Sequence, residues 1–463
     1  MMARWIDDWE PEDEQFWERK GKRIARRNLV FSIFAEFLGF AVWVIWSVTA
    51  VNLNRAGFEF STGQLFTLVA VPALVGATAR FPYTLAVPRF GGRNWTVVSA
   101  LLLLIPLLFL VAMVSHPKTP YWVFLVGAAT AGLGGGNFAS SMANISFFYP
   151  DKRKGLALGL NAAGGNLGVA VAQLVVPLAV TGGTIGFIAD ASGGKSSVQL
   201  QNAGLIWIPL VVAAAACAGL FMDNLKVSRS PIRNQAVILR RGQTWIMSWL
   251  YIGTFGSFIG YSAGLPLLME TQFPEATLSL AFLGPLVGSL ARPAGGWLSD
   301  RLGGAKVTFA TFLLMIFALL AVIVALNNEG GTLAFRMFLS AFVVLFLLTG
   351  IGNGSTYRMI PMIFRATHLQ MADGKGAAAE RDAMAAARRE TAAAVGFIGA
   401  VGAYGGWLIP QGYGVSAALT GSPMGALYCF LFFYVTCLGL TWWYYLRRSF
   451  AVDRSPNLAW AEV

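Results

Sequence analysis

Four charged side chains stand inside long apolar runs of this sequence: Glu36, Arg80, Arg292 and Arg358. An ionised group at membrane depth is costly unless it is paired or wetted, so each requires a physical reason. Arg80 and Arg292 end matched segments, Leu74-Val75-Gly76-Ala77-Thr78-Ala79-Arg80 and Leu286-Val287-Gly288-Ser289-Leu290-Ala291-Arg292. Arg89-Phe90-Gly91-Gly92 and Arg301-Leu302-Gly303-Gly304 follow them at equal spacing. Snorkelling of the long stem toward an interface accounts for one such arginine. It does not account for two at the same repeat position with no acidic residue within a turn. The pattern predicts that the two guanidiniums face each other between related halves and together bind an anion. Their planar donor forks suit a planar oxyanion, a geometry that a lysine ammonium lacks. With no aspartate inside the apolar runs, the counter-charge is expected to be the substrate itself.

Glu36 lies near the middle of the first apolar run, where a carboxylate can be protonated, face a water-filled cavity or relay protons. Arg358 stands one to two turns from the end of its run with Arg365 next outside, and snorkelling is expected of it. Phe138, Tyr251 and Phe255 read first as core aromatics, and such rings also narrow a cavity to a small flat ion. Glycines form two dense tracts, Gly155 to Gly168 and Gly396 to Gly414. Close helix packing explains most of them. It does not by itself require Asn166 in the first tract or Gly405-Gly406 before Pro410 in the second, so packing alone and packing with gating both stand. Cys217, Cys429 and Cys437 fall in apolar runs without metal-ligand spacing and are expected to be buried and inert. His116 and His368 are expected in loops, in water. Neither a metal nor a cofactor is expected, and no nucleophile or acid–base pair within the spans suggests an enzyme.

The elements that must position these residues are membrane helices. Of 463 residues 56% are hydrophobic and 12% charged, with mean hydropathy +0.62, more apolar surface than a water-soluble domain of this length can bury. Apolar runs predict helices at about 29–50, 64–87, 96–115, 121–148, 155–180 and 205–222, then 244–268, 279–299, 307–327, 334–364, 391–414 and 425–446. The fold class is therefore an all-α membrane protein of twelve transmembrane helices. A polar stretch between the sixth and seventh divides the chain into an N-terminal segment 1–28, a six-helix bundle 29–222, a linker 223–243, a second bundle 244–446 and a tail 447–463. Further matches keep the same order: Gly134-Gly135-Gly136-Asn137 with Gly350-Ile351-Gly352-Asn353, and the spacing of Gly159, Gly165 and Gly168 with Gly396, Gly402 and Gly405. Two six-helix repeats in the same sense imply bundles related by an axis along the membrane normal.

The formal charge of +12 is spread along the chain instead of lining a groove, so nucleic acid is not an expected partner; membrane lipid is. With both termini cytoplasmic, the outer segments hold only Arg55, Lys118, Lys195 and Arg336, and the remaining basic loop residues fall inside. The acidic, aromatic start Trp5-Ile6-Asp7-Asp8-Trp9-Glu10 lacks the basic region of a cleavable signal, so the first run is expected to remain a membrane helix. A receptor that binds without transporting fits the duplicated halves and glycine tracts less well than a transporter does.

At these residues the sequence resembles the NarK-type nitrate/nitrite porters of the major facilitator superfamily, over nearly its full length. Gly295-Gly296-Trp297-Leu298-Ser299-Asp300 before Arg301-Leu302-Gly303-Gly304 is similar to the superfamily's loop motif. More specific are Gly159-Leu160-Asn161-Ala162-Ala163-Gly164-Gly165-Asn166-Leu167-Gly168 and Gly396-Phe397-Ile398-Gly399-Ala400-Val401-Gly402-Ala403-Tyr404-Gly405-Gly406, which resemble the branch's two nitrate-signature helices. The run Asn137 to Phe148 and Trp9-Glu10-Pro11-Glu12-Asp13 with Phe16-Trp17 look like the same branch. The resemblance implies that Arg80 and Arg292 bind nitrate or nitrite, that Phe138 stacks on the ion, and that Tyr251, Phe255 and Asn166 line the pocket. Gly164, Gly165, Gly168, Gly402, Gly405 and Gly406 would belong to the moving signature helices. It also implies the major facilitator fold, a monomer in a bacterial inner membrane, and import of nitrate against nitrite for nitrate assimilation. Glu36 and Arg358 depart from the branch's exchangers, so proton-coupled nitrate symport through Glu36 stays open as the alternative.

Overall fold

A computed structural model describes residues 5–181, 198–229, 237–328, 331–447 and 458. Eleven described helices are long and apolar enough to cross a membrane: α1 (Glu14–Ala56), α2 (Thr62–Phe90), α3 (Gly92–Val114), α4 (Tyr121–Phe148), α5 (Asp151–Thr181), α6 (Asn202–Phe221), α7 (Gly242–Gln272), α9 (Gly304–Asn327), α10 (Gly331–Ala372), α11 (Ala377–Thr420) and α12 (Met424–Leu446). The expected eighth span, α8 (Leu283–Leu302), is a helix of 20 residues, but with Arg292, Asp300 and Arg301 in it, it falls outside those eleven. All twelve expected helices thus have a counterpart. Leu108, Phe317, Leu419 and Phe432 are exposed on the outside of the bundles, as lipid requires, whereas α7 is buried almost all round.

The repeated Gly-Gly motifs have a physical cause. Gly91 and Gly303 end α2 and α8 with φ of 86° and 90°, in the left-handed region that only glycine enters without strain, and α3 and α9 start at the very next residue. At the chain start, β1 (Trp5–Ile6) pairs in parallel with β2 (Asn224–Leu225). Buried Trp9 donates its indole N–H to the Phe147 carbonyl at 3.0 Å, and the Glu12 carboxylate accepts from the Asp151 backbone N–H at 2.9 Å. The segment before α1 therefore straps the α4–α5 turn and the start of the linker. Ion pairs tie the halves at both ends: Arg55 to Glu270 at 2.6 Å, and Arg388 to Asp151 at 3.2 Å.

Several expectations are corrected. α10 runs on to Ala372 and α11 starts at Ala377, so the segment expected as a cytoplasmic loop is mostly helix. Charges end an apolar run without ending a helix, and this stretch is rich in alanine. His368 sits on that extension, buried, with Nε2 at 3.1 Å from Glu390; Arg241 holds the same carboxylate at 3.0 and 2.8 Å. It is not a solvated loop histidine, whereas His116 is exposed in a connection as expected. Arg358 has its side chain exposed and pairs there with Asp300, a partner the expectation of snorkelling did not include. Of the three thiols only Cys437 is buried; Cys217 is half-buried and Cys429 faces outward. Lys195, residues 230–236 of the linker and nearly all of the tail lie outside the described residues.

Candidate functional site

Arg80 and Arg292 are buried, at 0% and 4% exposure, which rules out snorkelling for either. Phe138 of α4 joins them: the Arg80 Cζ lies 4.7 Å and the Arg292 Cζ 5.6 Å from the centre of its ring. Phe255 stacks on Phe138 at 5.8 Å and stands 4.8 Å from Arg80, and Tyr251 stacks on Phe255 at 5.4 Å. Tyr251 and Phe255 reach in from α7 at a π-helical turn, Ile252–Gly256, a distortion that re-aims side chains within a helix. Arg292 donates through Nη2 to the Tyr251 hydroxyl at 3.4 Å. The expected constellation of two arginines and three aromatics is thus assembled in one place.

The hydrogen bonds left over define what the site lacks. Arg80 donates through Nε to the Gly135 carbonyl at 3.1 Å and through Nη1 to the Gly399 carbonyl at 2.7 Å. Its Nη2, and the Nη1 of Arg292, are buried with no hydrogen-bond partner among the described residues. Neither guanidinium forms an ion pair with a described carboxylate. Buried donors without acceptors are rare and costly, and cationic ones more so. Two cationic donors flanking one aromatic face make a receptacle for a small anion with several acceptor oxygens.

Glu36 is closer to this site than its place in the sequence suggests. It is fully buried, accepts from Asn161 Nδ2 at 2.7 Å, and lies within electrostatic reach of both arginines. Asn161 Nδ2 also contacts the Ser141 hydroxyl at 2.6 Å, which bonds Ser32 at 2.8 Å. The expectation that only a substrate can balance the arginines is therefore too strong: one carboxylate stands nearby, though bonded to neither. Asn166 is fully buried on α5, which packs on α8, and neither of its amide atoms has a hydrogen-bond partner among the described residues.

The signature glycines bring helices together. A Cβ at Gly164 would strike Ile33, one at Gly165 would stand 2.5 Å from Glu36 Oε1, and one at Gly168 would overlap the Phe37 carbonyl oxygen, so all three seat α5 on α1. A Cβ at Gly402 would strike the Tyr251 ring and one at Gly405 the backbone of Gly256. At Gly406 it would stand 2.7 Å from Ile259 and 2.8 Å from Ala73, so that glycine seats α11 on α7 and on α2 of the other half. Sequence reasoning missed Trp43, whose ring is 5.4 Å from the Arg80 Cζ, the carbonyls of Gly135 and Gly399, and Tyr357, whose ring is 5.5 Å from the Arg292 Cζ. The repeated Gly134-Gly135-Gly136 segment and the second glycine tract were the available signals for the two carbonyls; nothing in the spacing marked the two aromatics.

Comparison with known proteins bears on the family and the fold. Residues 29–379 match the Major Facilitator Superfamily. The nitrate/nitrite transporter NarU of Escherichia coli is 47% identical over 453 residues, covering 96% of this chain and 97% of the relative. The probable nitrate/nitrite antiporter NarK2 of Thermus thermophilus is 38% identical over 458 residues, covering 96% and 97%. Among solved structures, a bacterial homologue of the human lysosomal transporter Spinster, inward-facing and unoccupied, superposes with a TM-score of 0.62 at 16% identity, over 91% of this chain and 97% of that one, which shows the fold. With full-length identity at this level, the chain belongs to the NarK-type nitrate/nitrite porter family of the major facilitator superfamily.

Proposed function

We propose that this protein exchanges nitrate for nitrite across a bacterial inner membrane, importing nitrate and exporting nitrite by alternating access, as a monomer with both termini cytoplasmic. The reading is supported by what the relatives are named for, nitrate/nitrite transport and antiport. The observation that carries it is the pair of buried guanidiniums astride Phe138, each with a partnerless N–H. An empty site of this kind resists closure, because sealing it would desolvate two cations against a single nearby carboxylate, Glu36, that is bonded to neither. A bound monoanion relieves that penalty, so the halves 29–222 and 244–446 reorient about the linker 223–243 only when loaded, which gives exchange instead of leak. The ion pairs Arg55–Glu270 and Arg388–Asp151 at opposite ends of the bundles break in turn as each side opens. The gating role of the signature glycines is part of the same proposal. The test is counterflow in liposomes: nitrite inside is expected to accelerate entry of labelled nitrate, with no dependence on a proton gradient. Equal entry with and without internal nitrite would overturn exchange.

One observation favours the second reading, proton-coupled nitrate symport: Glu36 is fully buried within reach of both arginines and bonded to Asn161. Glu36→Gln keeps the side-chain shape and removes the titratable group, so it separates the two readings. Under exchange, the variant keeps counterflow and shows no proton-driven uptake because the wild type has none. Under symport, wild-type uptake proceeds into nitrite-free vesicles, collapses with the pH gradient, and is lost in Glu36→Gln.

A further inference from the structure

We infer that Tyr357 recognises the third oxygen of nitrate and thereby sets the preference of the site for nitrate over nitrite; this rests on the nitrate/nitrite reading above. Tyr357 stands on α10 with its ring 5.5 Å from the Arg292 Cζ and 6.4 Å from the Tyr251 ring. Its hydroxyl is buried and has no hydrogen-bond partner among the described residues. A phenol that only fills space needs no hydroxyl, and one whose O–H is sealed from water without an acceptor is costly to keep. Around Arg292 and Phe138 three buried donors therefore wait for acceptors: Arg80 Nη2, Arg292 Nη1 and the Tyr357 hydroxyl.

The count has a chemical meaning. Nitrate is planar with three equivalent oxygens, and nitrite is bent with two. Two guanidiniums engage two oxygens of either ion. A third donor, neutral and fixed on a ring that lies against one of the arginines, finds an oxygen on nitrate and only the nitrogen side of nitrite. Because the hydroxyl is neutral, it adds discrimination between two ions of the same charge, which the arginines cannot do by charge alone. A site built to donate to an oxygen penalises the ion that presents only a nitrogen lone pair there, a weaker and differently placed acceptor for a fixed, buried donor.

The test is Tyr357→Phe in reconstituted liposomes, with half-saturation measured for each ion in homo-exchange, nitrate against nitrate and nitrite against nitrite. Nitrate half-saturation is expected to rise about tenfold, the worth of one hydrogen bond to an ion, while nitrite shifts by less than about twofold. Nitrite exchange also reports that the variant folds and inserts. No change for either ion, or a parallel loss of both, overturns the assignment, because a ring that merely packs the chamber would move both together. Failure of the wild type to exchange either ion would instead sink the transport reading itself, so the two failures are distinguishable.

Discussion

Replacement of Arg80 or Arg292 by lysine is expected to abolish nitrate/nitrite exchange while leaving the protein inserted and folded. Lysine keeps the charge, so a site that needed only attraction would survive the change. Arg80, however, uses its fork in three directions: Nε to the Gly135 carbonyl, Nη1 to the Gly399 carbonyl, and Nη2 toward the partnerless side. One ammonium on a flexible stem cannot hold both carbonyls and still present a donor beside Phe138. Arg292 has the same problem with the Tyr251 hydroxyl. Losing one partner of a buried, hydrogen-bonded charge contact costs about 2–5 kcal/mol, so the apparent affinity should fall from about thirtyfold to a few thousandfold. The measurement is the initial rate of labelled nitrate counterflow at equal reconstituted protein, with insertion checked separately. Wild-type rates in either variant would refute the paired-arginine site. The Gly399 carbonyl belongs to the second half and Arg80 to the first, so Arg80→Lys should also weaken a contact that crosses between halves.

Why Arg80 and Arg292 could be found in the sequence, and Tyr357 could not, follows from what each depends on. The arginines violate the rule that charge avoids hydrocarbon, and they do so twice in register, so composition and repeat together exposed them. The helices were equally legible, because an apolar run long enough to span lipid has few other uses. Gly91 and Gly303 were visible as repeats, and the structure supplies their cause, a helix end with positive φ in each half. What stayed hidden is set by which face of one helix meets another. Tyr357 and Trp43 obey every expectation for core aromatics, and only the guanidinium beside each gives it a role. Glu36 was marked as odd, but its nearness to both arginines depends on how α5 seats against α1 through Gly165, a contact that spacing does not encode. The cluster of His368, Glu390 and Arg241 was missed for a related reason: hydropathy stops at the lipid boundary, and the helices that bring these residues together do not.

The glycine tracts yield the second large effect, and a comparison inside one tract isolates its cause. Gly159 and Gly168 lie on the same helix, α5, but a Cβ at Gly159 meets nothing within 4 Å, whereas one at Gly168 would overlap the Phe37 carbonyl oxygen and stand 3.2 Å from the Ala41 nitrogen. Alanine is favoured over glycine in a helix by about 1 kcal/mol, so Gly159→Ala should leave exchange unchanged and hold or slightly raise the unfolding temperature in detergent. At Gly168 the same methyl group meets backbone, which cannot rotate aside as a side chain can, so α5 must lift from α1. That movement strains the Asn161–Glu36 contact as well, because Asn161 reaches Glu36 from the same helix. Overpacking of this kind costs about 1–3 kcal/mol, and Gly168→Ala is expected to lower the unfolding temperature by several degrees and exchange by about tenfold or more. Gly405→Ala, against the backbone of Gly256, should behave alike on the other side of the molecule. The pairing of the two measurements separates packing from gating. Loss of stability and exchange together assigns these glycines to seating the helices, whereas lost exchange at unchanged unfolding temperature assigns them to the sliding of one helix on another as the halves rock. Gly168→Ala with both properties intact would mean that α5 and α1 do not meet at Phe37 as described.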